Sequence, residues 1–166
     1  MTKIISINEA GHQEQAYAIA SSMKHMQGAL LPILHATQEK IGFIPSETVR
    51  IIADELNLSR AEVHGVISYY HHFRDTAPGK NVIQVCMAES CQSMGSDALA
   101  QHIEAKVGCA MHETTSNGNV SLEPVYCLGL CAQSPAVMIN DQLHAKMTPQ
   151  KFDALLAACL GEVQCV

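Results

Sequence analysis

With 166 residues the chain has room for one ordinary domain, or for a small domain with a helical extension, and too little for a multi-step enzyme. Hydrophobic residues make up 48% and charged residues 16%, so a packed core is within reach and a disordered chain is not expected. The formal net charge of −6, with only 10 scattered lysines and arginines, offers no basic stripe to a phosphate backbone and argues against a nucleic-acid partner.

The N-terminus, M-T-K-I-I-S-I-N-E-A-G, has one short apolar run and no small-residue cleavage site after it, so no signal peptide is read there and the chain is expected in the cytoplasm. Pro124 to Asn140, the longest uncharged run, carries two prolines, Gln, Ser, Asn and two cysteines, so no membrane insertion is expected. Seven cysteines, an odd number without a secretion signal, argue against a disulfide framework and for metal or redox chemistry.

Residues 1 to about 75 read as helical. From Ala16 to Met26 small and apolar residues recur with Ser, Lys and His between them, the pattern of an amphipathic helix that Gly28 interrupts. In A-L-L-P-I-L-H-A-T-Q-E-K-I-G, Leu30, Leu31, Leu34 and Ile41 share a face, Pro32 falls in the first turn and Gly42 ends the helix. After F-I-P, Ser46 is expected to cap a helix with Val49, Ile51, Ile52 and Leu56 on its apolar side. Ser59-Arg-Ala-Glu62 is a capping box: the serine hydroxyl accepts from the Glu62 amide, and the carboxylate reaches back to the Ser59 amide. The helix it opens carries Val63, Val66, Ile67 and Tyr70 and ends near Y-Y-H-H-F-R.

Ala77-Pro78-Gly79-Lys80 is the one clear linker, because helical periodicity and charge pattern both change there. It divides the chain into an N-terminal helical domain, residues 1–77, whose helices pack on each other or on a partner, and a second domain, residues 78–166. Beyond it V-I-Q-V is a short strand running into Cys86. Gly95, Ser96 and Asp97 introduce a helix to about Val107, with Leu99, Ile103 and Val107 inward, and Gly108 to Gly118 reads as a loop. Val120 to Tyr126 and Ala136 to Ile139 are further strands, with Gln142 to Lys146 a hairpin partner across Asn140-Asp141. Thr148 caps the closing helix, Pro149 opens it, Gly161 follows its last turn, and Phe152, Leu155, Leu156, Cys159 and Leu160 face inward. The order β, α, β, β, β, α gives an α/β layer on one sheet.

The chemistry lies in four of the cysteines. Four residues separate Cys86 from Cys91, three separate Cys127 from Cys131, and 35 lie between the pairs. Each pair can place both sulfurs on one metal ion, and thiolate is a soft ligand that selects zinc, copper(I) or iron-sulfur. Zinc pairs are usually built with about two to four intervening residues, so spacing leaves zinc open. Two irons bridged by sulfide, with two thiolates each, also match. A structural zinc normally replaces a missing core, whereas this domain has apolar elements enough to fold without one, which turns the reading toward a cluster.

Gly95 and Gly129 let backbone amides approach sulfur, and such donors stabilise a more reduced cluster; Gly129 reads equally well as a tight turn. Pro135 is expected in the ordinary trans state. Cys159 reads as a core residue, and Cys109 and Cys165 have no partner at ligand spacing. Among the nine histidines, His71 and His72 adjoin each other and so point apart; a packing or interface role suits them better than a metal, and His64 reads as an ordinary helix residue. The chain has no G-x-G-x-x-G, no P-loop, no nucleophile elbow at Ser93 or Ser134 and no C-x-x-C pair. No catalytic residue is therefore expected, and the chain reads as an electron carrier.

The C-x4-C and C-x3-C pairs with their 35-residue gap, G-S-D opening a helix, and C-L-G-L-C-A-Q-S-P-A-V-M-I-N-D at the second pair resemble the thioredoxin-like 2Fe-2S ferredoxins, which include the 24 kDa subunit of respiratory complex I. The likeness extends upstream through L-L-P-I-L-H-A-T-Q-E-K-I-G-F-I-P. It implies a thioredoxin-like domain with one 2Fe-2S cluster, one iron on Cys86 and Cys91 and the other on Cys127 and Cys131, preceded by a helical bundle. It also implies that the N-terminal helices dock on a flavin subunit that binds FMN and NAD. Within the family, C-M-A-E-S-C-Q-S-M-G and E-V-H-G-V-I-S-Y-Y-H-H-F-R resemble the gamma subunit of the molybdenum-containing, NAD-dependent formate dehydrogenases. That branch implies a molybdenum-containing large subunit and a flavin (beta) subunit as partners, with this chain an electron-transfer accessory. The same module in complex I or an NAD-reducing hydrogenase is the alternative, and a zinc-stabilised interaction domain the distant one.

Overall fold

The computed structural model describes residues 2–161, with side chains from residue 10 onward. Cys165, read above as a tail residue, lies outside the described residues. The chain divides into two compact units, Met1–Ala77 and Pro78–Val166, each with its own apolar cluster.

The first unit holds four helices: α1 (Thr2–Met23), α2 (Leu30–Ile41), α3 (Ser46–Leu56) and α4 (Arg60–Tyr69). The helix expected over Ala16–Met26 is the last part of α1, which begins well upstream and stops short of Gly28. Apolar periodicity fades at Gln13, Glu14 and Gln15 because these residues are exposed, yet Gln and Glu are good helix formers and carry the helix through. Ala16 and Ala20 of α1 are fully buried, and their small side chains let α1 lie close on α2 and α3.

Gly42, at φ 96°, ends α2 as expected. Ser46 is the first residue of α3 and not its cap; extended Pro45 occupies that position, and the Thr48 hydroxyl donates to the Pro45 carbonyl at 2.7 Å. Proline's fixed φ turns the chain into the helix at that point. The Ser59 box forms at both ends, with the Glu62 amide 3.2 Å from Ser59 Oγ and the Ser59 amide 2.8 Å from Glu62 Oε2. Past α4 the chain is pinned to α2 by buried Gln38, whose Nε2 donates to the His72 carbonyl at 2.8 Å while its Oε1 accepts from the Arg74 amide at 2.7 Å. His72 stacks at 5.1 Å on His35 and 5.9 Å from Phe73, a packing role. Ile33, Leu34, Ile52, Val63 and Phe73 centre this core, each buried side chain stabilising it by about 1.5–3 kcal/mol.

The second unit is a five-stranded mixed sheet in the order β2-β3-β1-β4-β5. Its elements are β1 (Asn81–Cys86), α5 (Glu89–Ser93), α6 (Ser96–Val107), β2 (Glu113–Thr114), β3 (Val120–Val125), β4 (Val137–Ile139), β5 (Gln142–His144) and α7 (Pro149–Gly161). β1 runs parallel to β3 and antiparallel to β4; β2–β3 and β4–β5 are antiparallel pairs. The segment expected to be a loop from Gly108 to Gly118 contributes β2, which two exposed residues are too short to announce in sequence. α5, also unexpected, is a five-residue helix that carries the second thiol, Cys91.

Asn140 and Asp141 take φ 47° and 65° in the turn between β4 and β5, the left-handed pair that hairpin turns demand. α6 and α7 are tied by Asp153, 2.9 Å from His102 Nε2 and 3.3 Å from Lys106 Nζ, and they share one core with the sheet through Leu99, Ile103, Phe152 and Leu156. Gly79 sits hard against β3: its amide donates to Ser121 Oγ at 2.7 Å, and a Cβ there would meet the Val120 backbone at 2.9 Å. No helix among the described residues is long and apolar enough to cross a membrane.

Candidate metal centre

The sheet decides where the thiols go. Cys86 is the last residue of β1 and stands in register with Val125, the last of β3, and the Met87 amide donates to the Val125 carbonyl at 2.7 Å. Two parallel neighbours deliver their C-terminal loops to the same end of the sheet, so Cys127, two residues past β3, leaves the same end of the sheet as Cys86 although 40 positions intervene. Within each loop a tight turn brings up the second thiol. The Cys91 amide closes on the Ala88 carbonyl at 2.9 Å at the start of α5, and Cys131 opens a single 3-10 turn, Cys131–Gln133.

The two pairs differ in surroundings. Cys86 and Cys91 are each 2% exposed, set in a small apolar cup with Ala136, Val125, Leu128 and Leu130, while Cys127 and Cys131 are exposed. Cys127 Sγ lies 3.8 Å from Cys131 Sγ and accepts the Gly129 amide at 3.3 Å; Gly129 reaches this position with φ 77°, which costs glycine nothing. Cys127 itself is at φ 147°, a backbone state that L side chains avoid at a cost of order 1–3 kcal/mol.

Burial pushes the Cys86 thiol up, against the pull of the Ala88 and Leu128 backbone. Burial works in the same direction on Cys91, but the Ser134 hydroxyl, Cys86 and the Ala136 backbone outweigh it and hold that thiol low. Cys131 is raised first by its hydrogen bond and charge contact with Cys127, and it also feels the charge of Cys91 across the site. The thiols thus stand as two pairs on two loops at one end of the sheet; among the described residues no three His, Cys, Asp or Glu side chains converge on a single ion position.

Other expectations meet different fates. The Gly129 amide reaches a sulfur, whereas the Gly95 amide bonds to the Gln92 carbonyl at 2.9 Å and that residue, at φ 88°, opens α6. The Ser134–Pro135 bond is cis, not trans; for an X-Pro bond the two states differ by only about 0.5–1 kcal/mol, so surroundings decide. Cys109 and Cys159 pack against the sheet core, where burial, then Glu113 and Glu104, push the Cys109 thiol up. Sequence reasoning missed Ser90 and Ser134. Their hydroxyls lie 3.0 Å apart, each also reaches the Cys131 carbonyl, and Ser134 Oγ accepts from Cys91 Sγ at 3.5 Å. The only signal for them was adjacency, Ser90 before a thiol and Ser134 three residues after one.

Fold and site together define an α/β protein that carries a four-thiol constellation on the loops at one end of a mixed sheet. The family model of the thioredoxin-like 2Fe-2S ferredoxins matches residues 16–160. The chain is 30% identical over 136 residues to HndA, a subunit of the NADP-reducing hydrogenase of Solidesulfovibrio fructosivorans, covering 82% of this chain and 80% of that one. It is 31% identical over 144 residues to the E 2 subunit of the NADH-quinone oxidoreductase of Rhizobium meliloti (87% and 86% covered), and 36% identical over 129 residues to the E subunit of the Aquifex aeolicus NADH-quinone oxidoreductase (78% and 81%). Among solved structures it superposes on an NAD+-reducing NiFe-hydrogenase with a TM-score of 0.68 at 22% identity, a likeness of fold that covers 81% of this chain but only 23% of the hydrogenase chain. The chain belongs to the thioredoxin-like 2Fe-2S ferredoxin family, and its cofactor is a 2Fe-2S cluster.

Proposed function

We propose that Cys86 and Cys91 hold one iron of the cluster and Cys127 and Cys131 the other, and that the chain is the electron-transfer subunit of a multi-subunit, NAD(P)-linked oxidoreductase. The observation that carries this is the parallel β1–β3 register, which brings two thiol pairs from distant sequence to one end of the sheet. The donor set fits the group: four soft thiols grouped in twos, an amide on the Cys127 sulfur at 3.3 Å and an apolar cup around the inner pair. When bound, such a cluster supplies one-electron redox chemistry. The chain's own residues set its terms: the buried pair keeps water off one side, amide donors offset negative charge on sulfur, and the exposed pair stands where a redox partner can approach.

The relatives named above are subunits of a hydrogenase and of NADH-quinone oxidoreductases, and they favour complexes of those two kinds over the formate dehydrogenase that the softer motifs resemble. In this reading residues 78–166 carry the cluster, residues 1–77 dock the chain on its complex, and FMN and NAD(P) reside on a flavin subunit beside it. No molybdenum subunit is needed.

Anaerobic purification with iron and sulfide analysis, and an EPR spectrum after dithionite reduction, test the ligand assignment. Two irons and two sulfides per chain are expected, with loss of both in Cys86→Ser and Cys127→Ser; zinc in place of iron in the native chain overturns it. Affinity isolation of the full chain from its own cells tests the partner: an FMN-containing subunit supports the assignment, and a molybdenum subunit accompanying it restores the formate reading.

A further inference from the structure

We infer that the Ser134 hydroxyl, released from the Cys131 carbonyl by Ser90, donates a hydrogen bond to the Cys91 sulfur once that sulfur is bound to metal, and so raises the reduction potential of the centre. The inference rests on Cys91 being a ligand, as proposed above.

Ser134 Oγ has three neighbours: Cys91 Sγ at 3.5 Å, Ser90 Oγ at 3.0 Å and the Cys131 carbonyl at 2.9 Å. Ser90 Oγ also reaches that carbonyl, at 3.1 Å. The two hydroxyls therefore bridge the loop of the first thiol pair to the loop of the second. With Cys91 as a thiol, its hydrogen points to Ser134 and the Ser134 hydrogen points to the Cys131 carbonyl. A sulfur that binds metal has given its proton to solvent and can only accept. Ser90 can then serve the Cys131 carbonyl alone, which frees the Ser134 hydrogen to turn toward sulfur. Each hydroxyl keeps its own hydrogen, and the pattern reverses by rotation about two C–O bonds.

Cys91 is 2% exposed, and at a buried acceptor a hydrogen bond is electrostatically stronger than in water. The bond strengthens as electron density on the ligand rises, so it favours the reduced state. Ser90 is a positioning residue in this scheme, acting only through Ser134.

The test is a redox titration of the full chain, loaded anaerobically, followed by EPR. Ser134→Ala is expected to keep two irons and two sulfides and to shift the one-electron equilibrium toward the oxidised form by roughly threefold to tenfold, a midpoint more negative by about 28–59 mV. Ser134→Thr, which retains the hydroxyl, restores the native midpoint. Ser90→Ala shifts it the same way by less, because the Ser134 hydrogen is then shared with the Cys131 carbonyl. A native midpoint in Ser134→Ala overturns the inference and leaves the ligand assignment intact, whereas a native chain without iron and sulfide overturns both. Should Ser134→Ala fail to hold the centre, Ser90→Ala decides: a lowered midpoint upholds the inference and an unchanged one overturns it.

Discussion

Replacing Gly79 with alanine puts a methyl group 2.9 Å from both the backbone N and C of Val120 and 3.0 Å from the Ser121 amide nitrogen. Carbon atoms in favourable contact sit about 3.5–4.0 Å apart, so a gap of about half an ångström or more must open against a strand that cannot yield without its neighbours. Overpacking of this kind costs about 1–3 kcal/mol, and a retreating Gly79 also strains its 2.7 Å bond to Ser121 Oγ, itself 2.6 Å from Thr114 Oγ. The reduced freedom of the unfolded alanine chain returns about 0.4–1 kcal/mol. The expected net is a loss of about 1–2 kcal/mol, read as a lower urea midpoint. Gly65→Ala in α4 is the matched control: nothing lies within 4 Å of its added methyl, and in a helix interior the change should stabilise by about 0.5–1 kcal/mol. Opposite signs from the same substitution are expected. A Gly79→Ala protein as stable as the native one refutes the close-approach argument.

Three further outcomes follow from contacts described above. Gln38→Leu removes both bonds that pin the segment after α4, and chemical denaturation should show a loss of about 1–3 kcal/mol from two part-buried hydrogen bonds. Ser59→Ala breaks the capping box of α4 and should cost about 1 kcal/mol in the same assay. His102, then Lys106, hold the Asp153 carboxyl below its ordinary range; a depressed carboxylate contributes stability above its unfolded pKa and loses it as pH falls through the folded value. Asp153→Asn should therefore lower stability at neutral pH and leave it unchanged at the acid end, where the native and variant melting curves converge.

Much of this was legible where a residue's local chemistry decides its own neighbourhood. The Ser59–Glu62 box, the Gly42 stop, the Asn140-Asp141 turn and the Thr148-Pro149 start of α7 each depend on hydrogen bonds or φ values spanning a few residues, so the sequence states them directly. Thr148 Oγ1, for instance, accepts from the Lys151 amide at 3.2 Å as a cap should. Elements held by longer-range pairing were harder. β2 exists because Glu113 and Thr114 pair with Leu122 and Ser121, and nothing in two exposed residues announces it. The first half of α1 lacks the apolar rhythm that marks an amphipathic helix.

The four cysteines stood out by spacing and family pattern, but their surroundings did not. That one pair is buried and the other exposed depends on Ala136, Val125, Leu128 and Leu130 closing over one side. The roles of Ser90 and Ser134 depend on two loops 44 residues apart meeting. Spacing predicts ligands; only the fold supplies what touches them.

The β1–β3 ladder also acts as a gauge. Each residue along a strand advances about 3.3 Å, so sliding β3 by one position against β1 would carry Cys127 and Cys131 past Cys86 and Cys91 by more than a metal–sulfur bond length, and would turn every β3 side chain to the wrong face. The distance between the two halves of the site is thus written into a register of six residue pairs, Asn81 with Val120 through Cys86 with Val125. It is not written into the stretch of chain that joins them. Residues can be inserted or lost around Ser116–Gly118, in the exposed bend between β2 and β3, without changing that distance, while a single deletion inside either strand would abolish it.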